Sequence, residues 1–395
     1  MIHFRTPFSL VLGVVLVCAL SPARAAAIQP GLRLRSSISK SGRGAKLPLA
    51  KVGVYYFDGW AMRHDPWHHL HGLADNPQFA GREPLSGWLD NTQQSIQQQL
   101  AWAHQDGISF FVFDWYYHAS GPPLSINNAL RLYKKLRRHS RVYYALLYVN
   151  GGKYKIPSQS WHHVVTQWTT RYFKNPNYQR IDGRPILAII NIAGFARQMT
   201  GYQGSQGRVQ SANRALAVLQ AVARAHGLPG VYVIGGGVTY PSPQFQHLSW
   251  LRSVHIQAMT LYNYPGVLAL SNGPMSYRRL IRAGQRIWMR FAVNSHHSFF
   301  PLVMDGWDPR PWNEHVFGKL FWFRRSPEEF EQFVKDAIIW AKNHPRMRVS
   351  PPPHRPLLLI EAWNELGEGS YMLPTVGDHN AYGRALARAL GLTPP

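Results

Sequence analysis

The segment EAWNELGEGSYMLP, residues 361–374, places three glutamates within eight positions of a chain that has only 19 acidic residues against 43 basic ones. Glu365 and Glu368 lie on either side of Leu366 and Gly367, and a glycine-containing stretch of this kind lets the backbone turn so that both carboxyls face one cleft. Cleavage of a glycosidic bond needs such a pair. One carboxyl, its acidity weakened by its surroundings, protonates the departing oxygen, and a second group acts as base or nucleophile. A surface loop with two solvated acids is the plainer alternative, and a chain this poor in acids has little reason to place them idly. Glu361 lies inside an apolar run and is expected to be structural, either turned into the core or paired with an arginine behind it.

The elements that must position these groups are read from the hydrophobic pattern. Eight short apolar runs cover residues 51–58, 108–117, 142–150, 185–192, 231–238, 256–264, 287–294 and 356–364. Segments with apolar residues at helical spacing fall at 91–105, 126–138, 161–173, 212–226, 244–253, 277–284, 326–344 and 381–391. Ser326, followed by Pro327 and then Glu329, joins a cap, a first-turn proline and a capping-box acid. The runs are nearly continuous rather than alternating, as strands buried on both faces require. Eight strand-then-helix units predict an α/β fold, a (β/α)8 TIM barrel forming one catalytic domain over residues 51–395, with a doubly wound open sheet as the alternative.

In such a barrel the chemistry sits at the C-terminal ends of the strands. Asp58, Asp114, Asp305, Asp308, Glu361, Glu365 and Glu368 all fall there. Aromatics collect at the same rim, among them Tyr55, Tyr56, Trp115, Tyr116, Tyr262, Trp307 and Trp363, with the amides Asn263 and Asn364. Aromatic faces stack on the C–H faces of sugar rings while carboxylates and amides take the hydroxyls. The expected substrate-binding set is therefore Tyr55, Tyr56, Asp58, Asp114, Trp115, Tyr116, Asn263, Trp307, Asp308, Trp363 and Asn364, and the expected ligand a polysaccharide or oligosaccharide.

Residues 1–25 carry a basic start, an apolar run from Phe8 to Leu20 and the small-residue pattern Ala23-Arg24-Ala25, which is the pattern of a cleaved signal peptide. The protein is expected to be secreted or periplasmic, with no integral membrane segment after cleavage, and residues 26–50 read as a flexible basic leader. The only cysteine, Cys18, falls in the signal, so disulfides and thiolate chemistry are excluded from the exported chain. The net charge of +24 would suit nucleic acid, but export speaks against it. An anionic polysaccharide, an acid working environment and a compositional habit are the remaining explanations. No cofactor is expected. The histidines at 64, 68, 69 and 71 match no metal-ligand spacing, IGGGV at 234–238 lacks the order of a phosphate loop, and no Gly-x-Ser-x-Gly elbow occurs.

The stretches AWNELGEGSYMLP, HQDGISFFVFDWYY, YQRIDGRPILAI and GWDPRPW together resemble the WbsX-like proteins and the family 99 glycoside hydrolases, the endo-α-mannosidase group. The resemblance implies a TIM barrel and metal-independent hydrolysis of an α-mannoside-like linkage with retention. In the family's Asn-Glu-x-x-Glu-Gly motif, Asn364, Glu365, Glu368 and Gly369 fill the fixed positions. By that resemblance Glu365 deprotonates the sugar 2-hydroxyl, which attacks the anomeric carbon to give a 1,2-anhydro sugar. Glu368 protonates the leaving group and then activates water, and Tyr262 matches the active-site tyrosine. The chain departs from the hydrolases in having Leu366-Gly367 where they carry bulky Trp-His, which brings it nearer the WbsX-like side, proteins described as glycosyltransferases of polysaccharide synthesis. A transferase and a non-catalytic carbohydrate-binding barrel are thus the competing readings.

Overall fold

The computed structural model describes residues 47–61, 70, 72–119, 124–136, 141–237, 248–268, 271–349 and 354–394. The expected signal peptide, most of the leader, the histidines at 64, 68, 69 and 71 and the start of the 244–253 helical segment lie outside the described residues.

Parallel strands follow one another around a sheet: β1 (Lys51–Tyr56), β2 (Phe110–Trp115), β3 (Tyr143–Tyr148), β4 (Arg184–Ile189), β5 (Tyr232–Gly237) and β6 (Ala258–Leu261). The next run, β7, is split into Ser298–Phe299 and Leu302–Met304, and β8 is Leu357–Glu361. The first piece of β7 pairs with β6 and the second with β8, which in turn pairs with β1. One run thus joins both edges of the sheet, and the barrel closes there. Pro301, which has no N–H, stands at the break, and its carbonyl accepts from Leu359 N at 3.2 Å.

The helices around the barrel are α1 (Gln93–Gln105), α2 (Asn128–Leu136), α3 (Trp161–Trp168), α4 (Ile192–Gln198), α5 (Arg208–Ala225), α6 (Tyr277–Asn294), α7 (Pro327–Asn343) and α8 (Ala381–Ala389). The Ser326 cap is present, accepting from Glu329 N at 3.2 Å. The expected strand over 287–294 is corrected: those residues are the second half of α6. Buried Tyr277, Leu280, Ala283, Gly284, Trp288 and Phe291 recur every three or four residues, and Arg282, Arg286 and Arg290 occupy the exposed side. That period is helical, and it outweighs the β-favouring residue types in the stretch. The seventh strand comes instead from SFFPLVM, where a proline disguises it. Asp305 still follows this strand directly, so the rim keeps its place. The short helix α4 was not expected; Asn191 caps it, accepting from Gly194 N at 2.7 Å.

Candidate active site

Strand alternation sorts the rim residues into two sets. On β1 the Tyr55 hydroxyl donates to the carbonyl of Leu261 at 3.0 Å, and its ring lies 5.0 Å from that of Tyr262, so this side chain is in the barrel interior. Its neighbour Tyr56 faces outward. Its hydroxyl contacts Asp90 at 3.1 Å and Gln99 of α1 at 2.9 Å. On β2, Asp114 points inward and Trp115 outward, where it packs against Trp168 of α3 with ring centroids 5.0 Å apart.

The centre of the interior set is Tyr262, which follows β6. Its hydroxyl lies 2.5 Å from Glu365 Oε1 and 3.1 Å from Asp114 Oδ2, and the Tyr116 hydroxyl lies 3.5 Å from the same Asp114 oxygen. A phenol has one hydrogen, so it can donate to only one of two acid oxygens; the second contact is favourable when Asp114 carries the proton. Burial, and next the charge of Glu365, push the Asp114 carboxyl well above its ordinary range. Burial raises Glu365 to about 7, while the Tyr262 hydrogen bond stabilises its charged form and limits the rise.

Glu368 sits three residues on, half-buried, and its Oε2 has no hydrogen-bond partner among the described residues. Desolvation, then the charge of Glu365, then that of Glu314, drive its carboxyl well above the ordinary range. The two glutamates are held by a hairpin in which Asn364–Glu365 pairs antiparallel with Ser370–Tyr371. Gly369 turns this hairpin at φ +70°, and a Cβ there would stand 2.6 Å from Asp308. A Cβ on Gly367 would meet the Trp312 ring at 2.1 Å, so the indole lies directly against the backbone between the two acids.

Below the hairpin, the Ser370 hydroxyl lies 2.7 Å from Glu361 Oε2 and 2.8 Å from Asp305 Oδ1. One hydroxyl hydrogen cannot serve two carboxylates, so a proton on Glu361 or Asp305 completes this contact. Burial raises both, Asp305 to about 7. Glu361 is structural, as expected, but its partners are a serine and a neighbouring acid.

Several expected sugar contacts have other work. Asp58 is fully buried and accepts from Ala129 N at 2.7 Å and Leu130 N at 2.9 Å, which caps α2. Asn364 is spent on the Phe57 backbone, donating to its carbonyl at 2.9 Å and accepting from its N–H at 2.8 Å. Asp308 is clamped by Arg82 and by Arg310, the latter at 2.7 Å. Trp363 is completely buried and donates from Nε1 to Gln99 at 2.9 Å. Trp307 is buried too, and with Tyr56 and Trp115 it belongs to the packing set. The residues brought together are Tyr55, Asp114, Tyr116, Tyr262, Glu365 and Glu368, and half-buried Asn263 adjoins Tyr262.

Two functional neighbours escaped the sequence reading. Glu314, nine residues beyond Asp305 on the loop after β7, raises the pKa of both glutamates by its charge. Its position at the same rim was the available signal. Arg82 donates to the carbonyls of Asp308 at 3.1 Å and Leu366 at 2.7 Å, tying the β7 loop to the hairpin. It comes from a turn after β1 that has no chemical signature in the sequence.

A family model described as Glycosyltransferase WbsX matches residues 152–386. Among solved structures the chain is similar to the GH99 endo-alpha-mannosidase from Bacteroides thetaiotaomicron in complex with bis-tris-propane. That likeness has 14% identity and a TM-score of 0.54, over 88% of this chain and 97% of that one. A second structure of the same enzyme gives 14% identity and a TM-score of 0.53, over 86% and 95% of the two chains. A variant of GH5_18 from Streptomyces cattleya, in complex with Manb1-4GlcNAc, follows at 10% identity and a TM-score of 0.50, over 87% and 80%. These likenesses show the (β/α)8 barrel. No curated protein matches the chain.

Proposed function

The chain belongs to the WbsX family, and on that premise we propose that it is an exported, retaining, endo-acting glycoside hydrolase that cleaves an α-mannoside-like linkage in a polysaccharide. The observation that carries this reading is the unequal setting of two glutamates on one hairpin, Glu365 hydrogen-bonded by Tyr262 and Glu368 with an unpartnered Oε2 among the described residues. Glu365, raised only to about 7 and hydrogen-bonded by Tyr262, is available as a base near neutrality. Glu368, raised by burial and next by the charge of Glu365, and with no partner on Oε2 among the described residues, is available as an acid. Two carboxyls whose surroundings drive their acidities apart are what acid and base roles require.

In the proposed reaction Glu365 takes the proton of the sugar 2-hydroxyl. The freed oxygen attacks C1 from the face opposite the leaving group, the C1–O bond breaks, and the departing oxygen takes the Glu368 proton. A 1,2-anhydro sugar results. Water then adds at C1, giving its proton to the Glu368 carboxylate, and the opened O2 recovers its proton from Glu365. Two inversions at C1 amount to retention. Asp114, holding a proton against Tyr262, keeps a second negative charge away from Glu365. The buried, aromatic-lined interior around Tyr55, Tyr116 and Tyr262 lowers the local dielectric, so these charges act more strongly than in water. The apolar run and small-residue site in residues 1–25 support export.

A reducing-sugar assay of the protein against α-mannans and bacterial exopolysaccharides, beside Glu365→Gln and Glu368→Gln, tests the reading. Oligosaccharide release by the parent and not by either variant supports it. The family's description favours one further reading, glycosyl transfer to a sugar acceptor. New acceptor-linked product from a nucleotide-sugar donor, without release of reducing ends, would replace hydrolysis by transfer.

A further inference from the structure

A groove of about 570 Å³ runs between α2 and α3 on the flank of the barrel. Its cationic lining comes from Arg131, Lys134 and Lys135 of α2 and Arg171 just past the end of α3, and Trp115 and Tyr116 also line it. The sequence from Trp115 to Ile181 has eleven lysines and arginines and no aspartate or glutamate. Positive charge here is therefore not neutralised by its own stretch of chain. Arg131 donates to Asn128, and the Lys134 ammonium lies 4.4 Å from the Tyr172 ring centroid, so two of the four cations are oriented by neutral partners. Arg131, Lys135 and Arg171 are exposed.

Tyr116 is shared by the groove and the candidate site. The hydroxyl of that residue reaches Asp114, while its backbone is locked to the start of α2 through both polar atoms of Asn127, at 3.0 and 2.8 Å. A polymer lying in the cleft and crossing Tyr116 would enter a slot that offers cationic donors with aromatic walls beside them. Arg and Lys bind carboxylate and sulfate through charge-assisted hydrogen bonds, and aromatic faces accept sugar rings.

We propose that the α2–α3 groove is a subsite for acidic saccharide residues, and that the polysaccharide acted on carries carboxylate or sulfate groups next to the unit that is cleaved. The proposal rests on the hydrolase reading for the identity of the polymer, and its test is a binding measurement that needs no turnover. The intact protein would be titrated at low ionic strength with polygalacturonate, with dextran sulfate and with neutral dextran. The triple variant Arg131→Gln/Lys135→Gln/Arg171→Gln would be compared with Arg279→Gln/Arg282→Gln/Arg286→Gln, which removes the same charge from the exposed side of α6.

Loss of three exposed charge contacts, at roughly two-fold each, should weaken acidic glycan about eight-fold. The α6 variant should stay within about two-fold of the parent, and added salt should erase the difference between them. Groove-dependent retention of polygalacturonate marks a carboxylate sugar, and of dextran sulfate alone a sulfated one. Equal weakening by both triple variants, or none by either, overturns the proposal, as does groove-dependent binding of duplex DNA with no binding of either acidic glycan. Since all substituted side chains are exposed, unchanged thermal midpoints should accompany these results. Failure of every hydrolysis assay alongside groove-dependent binding would sink the proposed reaction and leave the subsite standing.

Discussion

From Trp115 to Met304 the chain carries 22 lysines and arginines and one acid, Asp182, whereas Asp305 to Pro374 alone holds ten acids. The first region builds β3 to β7, and none of its described charges is buried; the second builds the loop after β7, β8 and the hairpin and buries several of its charges at the rim. The difference shows two ways for charge to work. Exposed cations act as a field that salt can screen. Buried acids act on their nearest neighbours, and their protonation is fixed by desolvation and by single hydrogen bonds. The basic residues are well spread along the sequence, which hides how completely one stretch lacks compensating acids.

The contrast is broken most severely by removing the proposed proton donor. Glu368→Gln should lower kcat/KM on polysaccharide by about 10²–10⁴-fold, the usual range for general acid catalysis, with a much smaller loss on aryl glycosides whose leaving group needs no proton. Equal losses on both substrates would assign Glu368 to binding.

Tyr262→Phe comes next. It removes the hydrogen bond that stabilises charged Glu365, so the acid limb of the kcat/KM profile should move upward by about one pH unit, with about ten-fold less activity below the new limb. A limb that stays in place would show that Tyr262 does not set the base.

Stability against pH separates the regions in a third way. Glu361 and Asp305 have raised pKa values in the fold, Asp305 to about 7, and bind more protons folded than unfolded. Their stabilising contribution is complete below the ordinary carboxylate range near pH 4 and is lost as pH rises, for Asp305 through about 7. Glu361→Gln should therefore be more stable than the parent at pH 8, by about 1–2 kcal/mol, and should flatten the descent of the denaturation midpoint between about pH 5 and 8. Asp90 and Asp106, also raised to about 7, should keep part of the slope.

The smallest effect is expected at Asp58. Asp58→Asn weakens the cap of α2 and should cost about 1 kcal/mol in chemical denaturation, leaving kcat/KM within about two-fold. A large activity loss with unchanged stability would return Asp58 to the substrate.

The barrel was legible in the sequence because seven of its strands are uninterrupted apolar runs. The seventh in order was misplaced because β7 is broken by Pro301, while Ile287 to Asn294 holds β-favouring residues on a helical period. At the site, Glu365, Glu368, Tyr262 and Asp114 were legible from their positions after strands and from the family motif. The direction of neighbouring side chains was not. Tyr55 and Tyr56, or Asp114 and Trp115, differ by one residue and face opposite sides, and without the register the rim reads as one set. Asp58 and Asn364 look like sugar ligands by residue type, and only their distances to Ala129, Leu130 and Phe57 show them occupied by backbone.

The grip of Asn364 on Phe57 spans most of the chain. During synthesis the residues around Phe57 leave the ribosome long before residue 364 exists, and β8, which completes the barrel against β1, is also made late. Contacts of such sequence separation form slowly and last. The glutamate pair is therefore assembled only when the two ends of the barrel meet, and a partly made or unfolded chain carries the glutamates without their surroundings. Any activity of the pair would appear only after the chain has folded, so the fold itself sets the moment at which the site can act.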